Sequence, residues 1–315
     1  MIDPGPPRFT VVMPAYNAEA TVASAVGSVL AQTEPRLELI VVDDGSTDST
    51  PEILGTILDD RVRVLRQPNH GVARARNAGI GTARGELIAF LDADDLLMPA
   101  YLARMGAALA ADPGAQFAFC DAWMFEHGSG RLRRKSVIEP YRPAGSLPGD
   151  PIAFFLAHLR ANFVYVAVTI RRGVFGLVEG FNDELAAVAD YEMWLRIEAA
   201  GHRAVEVPER LALYRSSAGQ MSRDSAAMAR ELLRVFDLVE DIPNLPFEAR
   251  QILVMRRREV GAIRHAAERP TSLIGRRRRL RRALGRAWRS LPGQGLMLKR
   301  PPPEVLAAFP DLARC

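Results

Sequence analysis

The run Leu87-Ile88-Ala89-Phe90-Leu91 passes without a break into Asp92-Ala93-Asp94-Asp95. Five successive apolar residues leave no polar face, so a strand built from them is buried on both sides, as in a parallel sheet covered by helices. The three carboxylates that follow repel one another at neutral pH and mark the end of the buried strand. Leu39-Ile40-Val41-Val42 leading into Asp43-Asp44-Gly45-Ser46-Thr47-Asp48 repeats the arrangement. Working outward from these two, strands are expected at Phe9–Met13, Leu37–Val42, Val62–Leu65, Leu87–Leu91 and Gln116–Phe119.

Helical patterns lie between the strands. Asn17 is placed to cap a helix whose Val22, Val26, Val29 and Leu30 form one apolar stripe. Ser49 with Glu52 reads as a capping box, with Pro51 near the helix start. Gly71–Ala83 and Pro99–Ala111 are the next two helices. This alternation predicts an open, doubly wound α/β sheet. Such sheets bind ligands at the carboxyl ends of their strands. Residues 121–150 read as loop-rich, and 151–215 as a mixed segment completing the same domain. Beyond 224 the pattern turns helical, near 224–240, 246–267 and 275–290, and Pro301-Pro302-Pro303 ends that region.

Composition narrows the classes. At 315 residues, 48% hydrophobic and 25% charged, the chain is globular, neither disordered nor collagen-like. No stretch offers the ~18 apolar residues of a membrane-spanning helix. The best candidate, Pro151–Ile170, carries His158 and Arg160 in its middle. Met1–Arg8 lacks the basic start and apolar run of a signal peptide. Cys120 and Cys315 are far apart and without metal spacing, which fits a reducing cytoplasm rather than a disulfide scaffold.

Polar residues gather at four strand ends: Pro14-Ala15-Tyr16-Asn17; Asp43 to Asp48; Gln67-Pro68-Asn69-His70-Gly71 running on to Arg74, Arg76 and Asn77; and Asp92-Ala93-Asp94-Asp95. Each alone could be a turn or a helix cap. All four fall on one edge of the expected sheet. Mg2+ typically takes one or two carboxylates together with substrate phosphates, so a strand-end Asp-x-Asp suits a metal bridging protein to a diphosphate.

These motifs together resemble family 2 glycosyltransferases, which are inverting, nucleotide-sugar-dependent enzymes of the GT-A fold. The resemblance spans roughly residues 8–222. It implies a Rossmann-like, mostly parallel sheet, a catalytic domain over 1–223 (nucleotide-sugar half about 8–120, acceptor half about 121–223) and a helical, basic region over 224–315. By resemblance, Pro14, Ala15 and Tyr16 line the nucleoside pocket, and Asp44 accepts from the base, most often uracil. Arg74, near Asn69, sits by the nucleotide. Asp92 contacts the ribose or a metal-bound water, and Asp94 ligates Mn2+ or Mg2+ directly. The sequence Ala189-Asp190-Tyr191-Glu192-Met193-Trp194-Leu195-Arg196 is similar to the family's acidic motif before a helix and puts the catalytic base at Asp190. It departs from that motif at Ala189, where the family usually has Glu. Gly180-Phe181-Asn182-Asp183-Glu184 resembles the acceptor-side signature, so Phe181, Asp183, Glu184 and Trp194 are acceptor-side candidates. Tyr214-Arg215 with Gln220-Met221-Ser222 resembles a loop near the donor phosphates. For Arg215 a surface salt bridge is the plain alternative to a phosphate contact. The implied partners are a nucleotide-sugar donor, probed first as a UDP-sugar, and a glycan or lipid-linked acceptor in cell-surface polysaccharide synthesis.

The formal net charge of +4 divides unevenly: residues 225–315 hold 19 basic and 9 acidic residues, a net +10, and the first 224 a net −6. Residues 275–290 alone hold eight arginines, with Leu273, Leu280, Leu284, Ala287 and Leu291 on one helical stripe. A basic amphipathic helix with one tryptophan suits an anionic membrane surface, which would put the protein at the inner face of the plasma membrane. A solvated helix packed by its leucines is the alternative. Nucleic acid is not an expected partner, because stacking aromatics are nearly absent there. Gly79-Ile80-Gly81-Thr82-Ala83-Arg84-Gly85 ends a helix, whereas a dinucleotide fingerprint opens one, and no phosphate-binding Gly-x-x-x-x-Gly-Lys occurs. A nucleotidyltransferase would want a Gly-rich basic loop after the first strand, in place of Pro14-Ala15-Tyr16-Asn17. A degenerate glycosyltransferase acting as a binding subunit is the non-enzyme alternative, and Ala189 is its sequence support.

Overall fold

The structure is a computed structural model that describes residues 5–126, 129, 131–134, 136–217, 224–268, 298 and 301–309. Strands β1 (Phe9–Ala15), β2 (Leu37–Asp43), β3 (Val62–Arg66) and β4 (Leu87–Phe90) pair in parallel in the order β3-β2-β1-β4. Their carboxyl ends therefore share one edge. Helices α1 (Val22–Leu30), α2 (Thr50–Gly55) and α3 (Val72–Thr82) make the crossovers. Alternate side chains of β1 meet helices on opposite faces. Val12 packs against α3 so closely that a Cβ at Gly79 would lie 2.4 Å from Val12 Cγ1. Phe9 reaches the other face, where its ring meets α4 (Tyr101–Ala111) at Gly106.

The second half adds β5 (Leu96–Leu97), β6 (Ala115–Glu126), α5 (Pro151–Arg160), β7 (Val168–Arg171), α6 (Ala189–Ala199) and β8 (Arg203–Ser216). The eight-stranded sheet continues from β4 as β7-β6-β8-β5. Strand β7 runs antiparallel to both neighbours, β8 parallel to β6, and β5 antiparallel to β8.

Local expectations are corrected at several points. Asn17 does not cap α1: it adopts φ 48°, and its Oδ1 accepts from Thr47 N at 2.8 Å. The cap position belongs to Thr21, without a side-chain bond. The Ser49–Glu52 box does not form. Ser49 stands at the cap without a side-chain bond, and Asp48 Oδ1 accepts from Thr50 N at 3.0 Å instead. Strand β6 runs on to Glu126, into the stretch expected to be loop, because the 14-residue β8 pairs with it from Asp121↔Arg210 to Glu126↔Ser216. The two-residue β5 was not anticipated.

Asp224 caps α7 (Ser225–Glu240) by accepting from Ala226 N and Ala227 N. Helix α7 and α8 (Phe247–Glu268) pack on each other, with α6 against α7 and α5 against α8. Val235, Phe236, Ile252 and Leu253 join the same core cluster as the sheet. Helix α9 (Pro303–Ala308) closes a second cluster, in which Val305 is fully buried against Leu96, Met98, Phe125, Leu132 and Leu213. Leu298 N donates to Leu132 O at 2.7 Å, beside it. The basic helix expected at 275–290, with Gln220-Met221-Ser222 and Cys315, lies outside the described residues. Among the described residues no helix is long and apolar enough to cross a membrane.

Candidate active site

At the β1 end Pro14 and Ala15 are buried, and the Tyr16 ring is 51% exposed above them. Asp44, 3% exposed, gathers the loop that opens α3. Its Oδ1 accepts from Gln67 Nε2 at 2.7 Å and His70 N at 3.0 Å, and its Oδ2 from Gly71 N at 2.8 Å. A carboxylate has about four acceptor positions, so about one is left for a ligand. Gly45 allows the two loops to meet: its φ is +76°, and a Cβ there would lie 2.7 Å from Asn69 N. Asn69 itself is exposed at this edge.

The turn after β4 carries the acidic cluster. Asp92 and Asp94 are partly exposed, and Asp95 is 1% exposed. Asp95 accepts from Tyr165 Oη and, at 2.7 Å, from Arg215 N. Burial, reinforced by the charges of Asp94 and Asp92, holds its carboxyl well above the usual range. Arg215 Nε donates to Asp94 O at 2.6 Å, and its guanidinium lies 4.6 Å from the Phe125 ring centroid. This arginine therefore braces the acidic turn.

Asp92 Oδ1 accepts from Arg76 Nη2 at 2.7 Å. Arg76 is 5% exposed. Burial works against its charge, but Asp92 and Asp190 hold its pKa above the ordinary value. Asp190 lies in the first turn of α6, after Val188 at the cap position. Burial raises its pKa, and Arg76 pulls it back down. Arg76 thus bonds Asp92 directly, and its charge also acts on Asp190.

The acceptor-side candidates divide by burial. Asp183 is exposed and accepts from Arg74 Nε at 2.6 Å. Glu184 is exposed and 3.7 Å from Arg234 of α7. Phe181 is 3% exposed, and Asn77 clamps its backbone, donating to Phe181 O and accepting from Phe181 N, both at 2.8 Å. Trp194 is fully buried, stacked on Phe117 at 5.6 Å and beside Phe181 at 5.9 Å, so it supports the 180–184 loop from within the core. A cleft of about 610 Å³ borders this loop, α6 and the end of α7, lined by Asp183, Glu184, Glu192, Arg196 and Leu238 among others.

Residues 10–170 match the family model for glycosyl transferase family 2. The chain belongs to glycosyl transferase family 2. It is 36% identical over 220 residues to the succinoglycan biosynthesis protein ExoO of Rhizobium meliloti (strain 1021), covering 69% of this chain and 63% of that one. It is 45% identical over 92 residues to the glycosyltransferase GlyG of Streptococcus pneumoniae serotype 4, covering 28% of this chain and 31% of GlyG. The chain thus spans less than two thirds of these relatives' own length. Among solved structures it is similar to S. aureus TarS 1–349 in complex with UDP-GlcNAc, at TM-score 0.64 and 19% identity, covering 90% of this chain and 82% of that one. It is also similar to the mannosyltransferase PcManGT from Pyrobaculum calidifontis in complex with GDP-Man and Mn2+, at TM-score 0.58 and 21% identity, covering 99% of this chain and 82% of that one. The fold is that of the GT-A glycosyltransferases.

Arg76 and Asp95 stand in the strand-end motifs but carry no role in the sequence, and Tyr165 lies outside those motifs. For Arg76 a signal existed. Ala73, Arg76 and Gly79 are all buried and spaced three apart, so the arginine lies on the stripe that α3 turns to the sheet.

Proposed function

We propose that this family 2 glycosyltransferase moves a sugar from a nucleoside diphosphate sugar, with UDP-sugars as the first donors to test, to a hydroxyl of a glycan or lipid-linked acceptor. Transfer proceeds with inversion at C1 and serves cell-surface polysaccharide biosynthesis. The similarity to ExoO, named for succinoglycan biosynthesis, supports the pathway class. The UDP-GlcNAc and GDP-Man complexes of the two structural neighbours support the donor class.

The observation that carries the mechanism is Asp92 bonded to the buried Arg76, whose charge also acts on Asp190 in the first turn of α6. Tyr16 offers an exposed ring to the base, and Asp44 its remaining acceptor position. Asp92 and Asp94, part-exposed on one turn, fit a hard cation that takes one or two carboxylates and completes its shell with phosphate oxygens and water. Such an ion, Mn2+ or Mg2+, supplies charge neutralisation for the departing diphosphate. Asp190 accepts the proton of the acceptor hydroxyl as that oxygen attacks C1 from the face opposite the leaving group. The basic run 275–290 faces an anionic lipid surface in this reading, bringing the enzyme to lipid-linked acceptors as a peripheral protein on the cytoplasmic side.

The test is Asp190→Asn with a panel of UDP- and GDP-sugars. A general base contributes about 10²–10⁴-fold. Turnover should fall within that range, while nucleotide binding in the presence of Mn2+, measured by calorimetry, stays unchanged. Near-normal turnover would overturn the assignment. A wild-type protein that binds nucleotide but neither transfers nor hydrolyses any donor would be a binding subunit.

A further inference from the structure

Helix α8 gives one face to the core and leaves the other uncovered. Ala249, Ile252, Leu253 and Val260 lie in the main core cluster, and the helix packs on α5 and α7. Opposite them Phe247, Gln251, Val254, Arg258, Gly261 and His265 follow at alternating spacings of four and three, one stripe along the helix. The stripe itself carries no acid. Phe247 is 69% exposed, Val254 50%, and Met255 beside it 45%. The other large exposed apolar side chains of the described residues stand one to an element or loop, which is ordinary; α8 gathers three. Arg250, Arg258 and Arg264 are exposed on the same helix and form no ion pair among the described residues. Arg256 and Arg257, by contrast, are paired with Glu259 and with Asp237 and Glu240.

We propose that this outward face of α8 docks on an anionic lipid surface, with Phe247, Val254 and Met255 entering the headgroup layer and Arg250, Arg258 and Arg264 meeting the lipid phosphates. Charge favours lipid over a second copy of the chain. A two-fold contact between copies would bring the same three arginines to both of its sides, where like charges repel. An anionic headgroup layer takes both kinds of side chain at once, because arginine lays its stem along apolar surface and keeps its head among the phosphates. Chain continuity favours lipid as well. Helix α8 ends at Glu268, and residues 269–297, which follow it, hold nine arginines and no acid. One weak membrane signal gives only reversible binding, and stable attachment takes two. The basic run supplies attraction; α8, held to the core by its other face, supplies apolar insertion and a fixed orientation. This inference rests on the reading of the basic run as membrane-facing.

The test compares three full-length proteins: wild type, the triple variant Phe247→Gln, Val254→Gln, Met255→Gln, and the variant whose arginines between 276 and 289 are replaced by glutamine. Each is sedimented with phosphatidylcholine vesicles, with and without phosphatidylglycerol, and melted without lipid. The triple variant should keep the wild-type Tm, because the exchanged side chains are exposed. Its partition onto the phosphatidylglycerol vesicles should fall about 10–100-fold. Phe247→Trp should shift its emission to the blue on those vesicles and not on phosphatidylcholine alone. A triple variant that binds like wild type, beside an arginine variant that does not bind, overturns docking by α8 and leaves the reading of the basic run standing. A wild-type protein that binds neither vesicle removes both. A marked fall in Tm of the triple variant also overturns the proposal, by showing that the chain itself covers this face. A wild-type dimer in sedimentation velocity that the triple variant abolishes assigns the face to a second copy instead.

Discussion

Gly45→Ala tests how the nucleotide half of the site is built. Gly45 has φ +76°, and a Cβ there would lie 2.7 Å from Asn69 N and 3.3 Å from both Gln67 O and Pro68 C. All three contacts are backbone, so no side chain can rotate away. The substitution carries two costs. Left-handed backbone at a residue with a Cβ costs roughly 1–2 kcal/mol. Displacing the 67–69 backbone adds the strain of an overpacked contact, about 1–3 kcal/mol. Gly201→Ala isolates the first cost, because Gly201, just past the end of α6, has φ +85° and nothing within 4 Å of its Cβ position. Urea unfolding of both variants should therefore separate them, with Gly45→Ala the less stable by about 1–3 kcal/mol. The same displacement moves Asn69 and Gln67, and Gln67 donates to Asp44. UDP affinity of Gly45→Ala, measured by calorimetry, should fall with the stability. Two variants equal within about 0.5 kcal/mol would refute the loop-on-loop reading.

Val305→Ala, at a fully buried position on β5 and β8, should cost about 1–3 kcal/mol by denaturant unfolding, and ending the chain at residue 297 should lower Tm further. Asp95→Asn should flatten the pH dependence of stability. The folded-state pKa of Asp95 is raised, so its contribution is present at low pH and lost as pH rises through that value, at up to about 1.36 kcal/mol per pH unit. Parallel wild-type and variant unfolding profiles between about pH 4 and 8 would count against this account. Replacing the arginines between 276 and 289 by glutamine should abolish co-sedimentation with anionic liposomes while leaving transfer to a soluble acceptor intact. Retained, salt-independent sedimentation would remove the membrane reading.

That last perturbation changes charge and not length, for a structural reason. Net charge +10 over residues 225–315 suggests a separable tail. Yet Phe236 and Leu253 belong to the sheet's own core, and Val305 covers Leu96 and Met98 directly after the acidic turn. Deleting the tail would uncover the strand beside Asp94 and Asp95, and any loss of activity would then report on packing. Neutralising the arginines leaves Phe236, Leu253 and Val305 in place.

Strands β1, β2 and β4 were legible because burial on both faces leaves a continuous apolar run, and a parallel arrangement sends all their carboxyl ends to one edge. That logic places Tyr16, Asp44 and Asp92 at the strand ends with no knowledge of distant contacts, and only the resemblance assigns them roles. What stayed hidden depended on partners far along the chain. Strand β5 has two residues and exists because Leu96 and Leu97 pair with Leu213 and Ala212. Asn17 takes its left-handed turn to meet Thr47, 30 residues away. Trp194 stands in the acidic motif, yet it is spent on stacking against Phe117. The two arginines of α3 make the point most sharply. Arg74 and Arg76 are the same residue type two positions apart, and the helix turns one to solvent and the other to the sheet. Composition cannot separate them, but the small residues can: Ala73 and Gly79 flank Arg76 at three-residue spacing on the buried face. An arginine on a stripe of small residues is a charge that the fold must enclose, and Asp92 and the Phe181 ring are what it encloses it with.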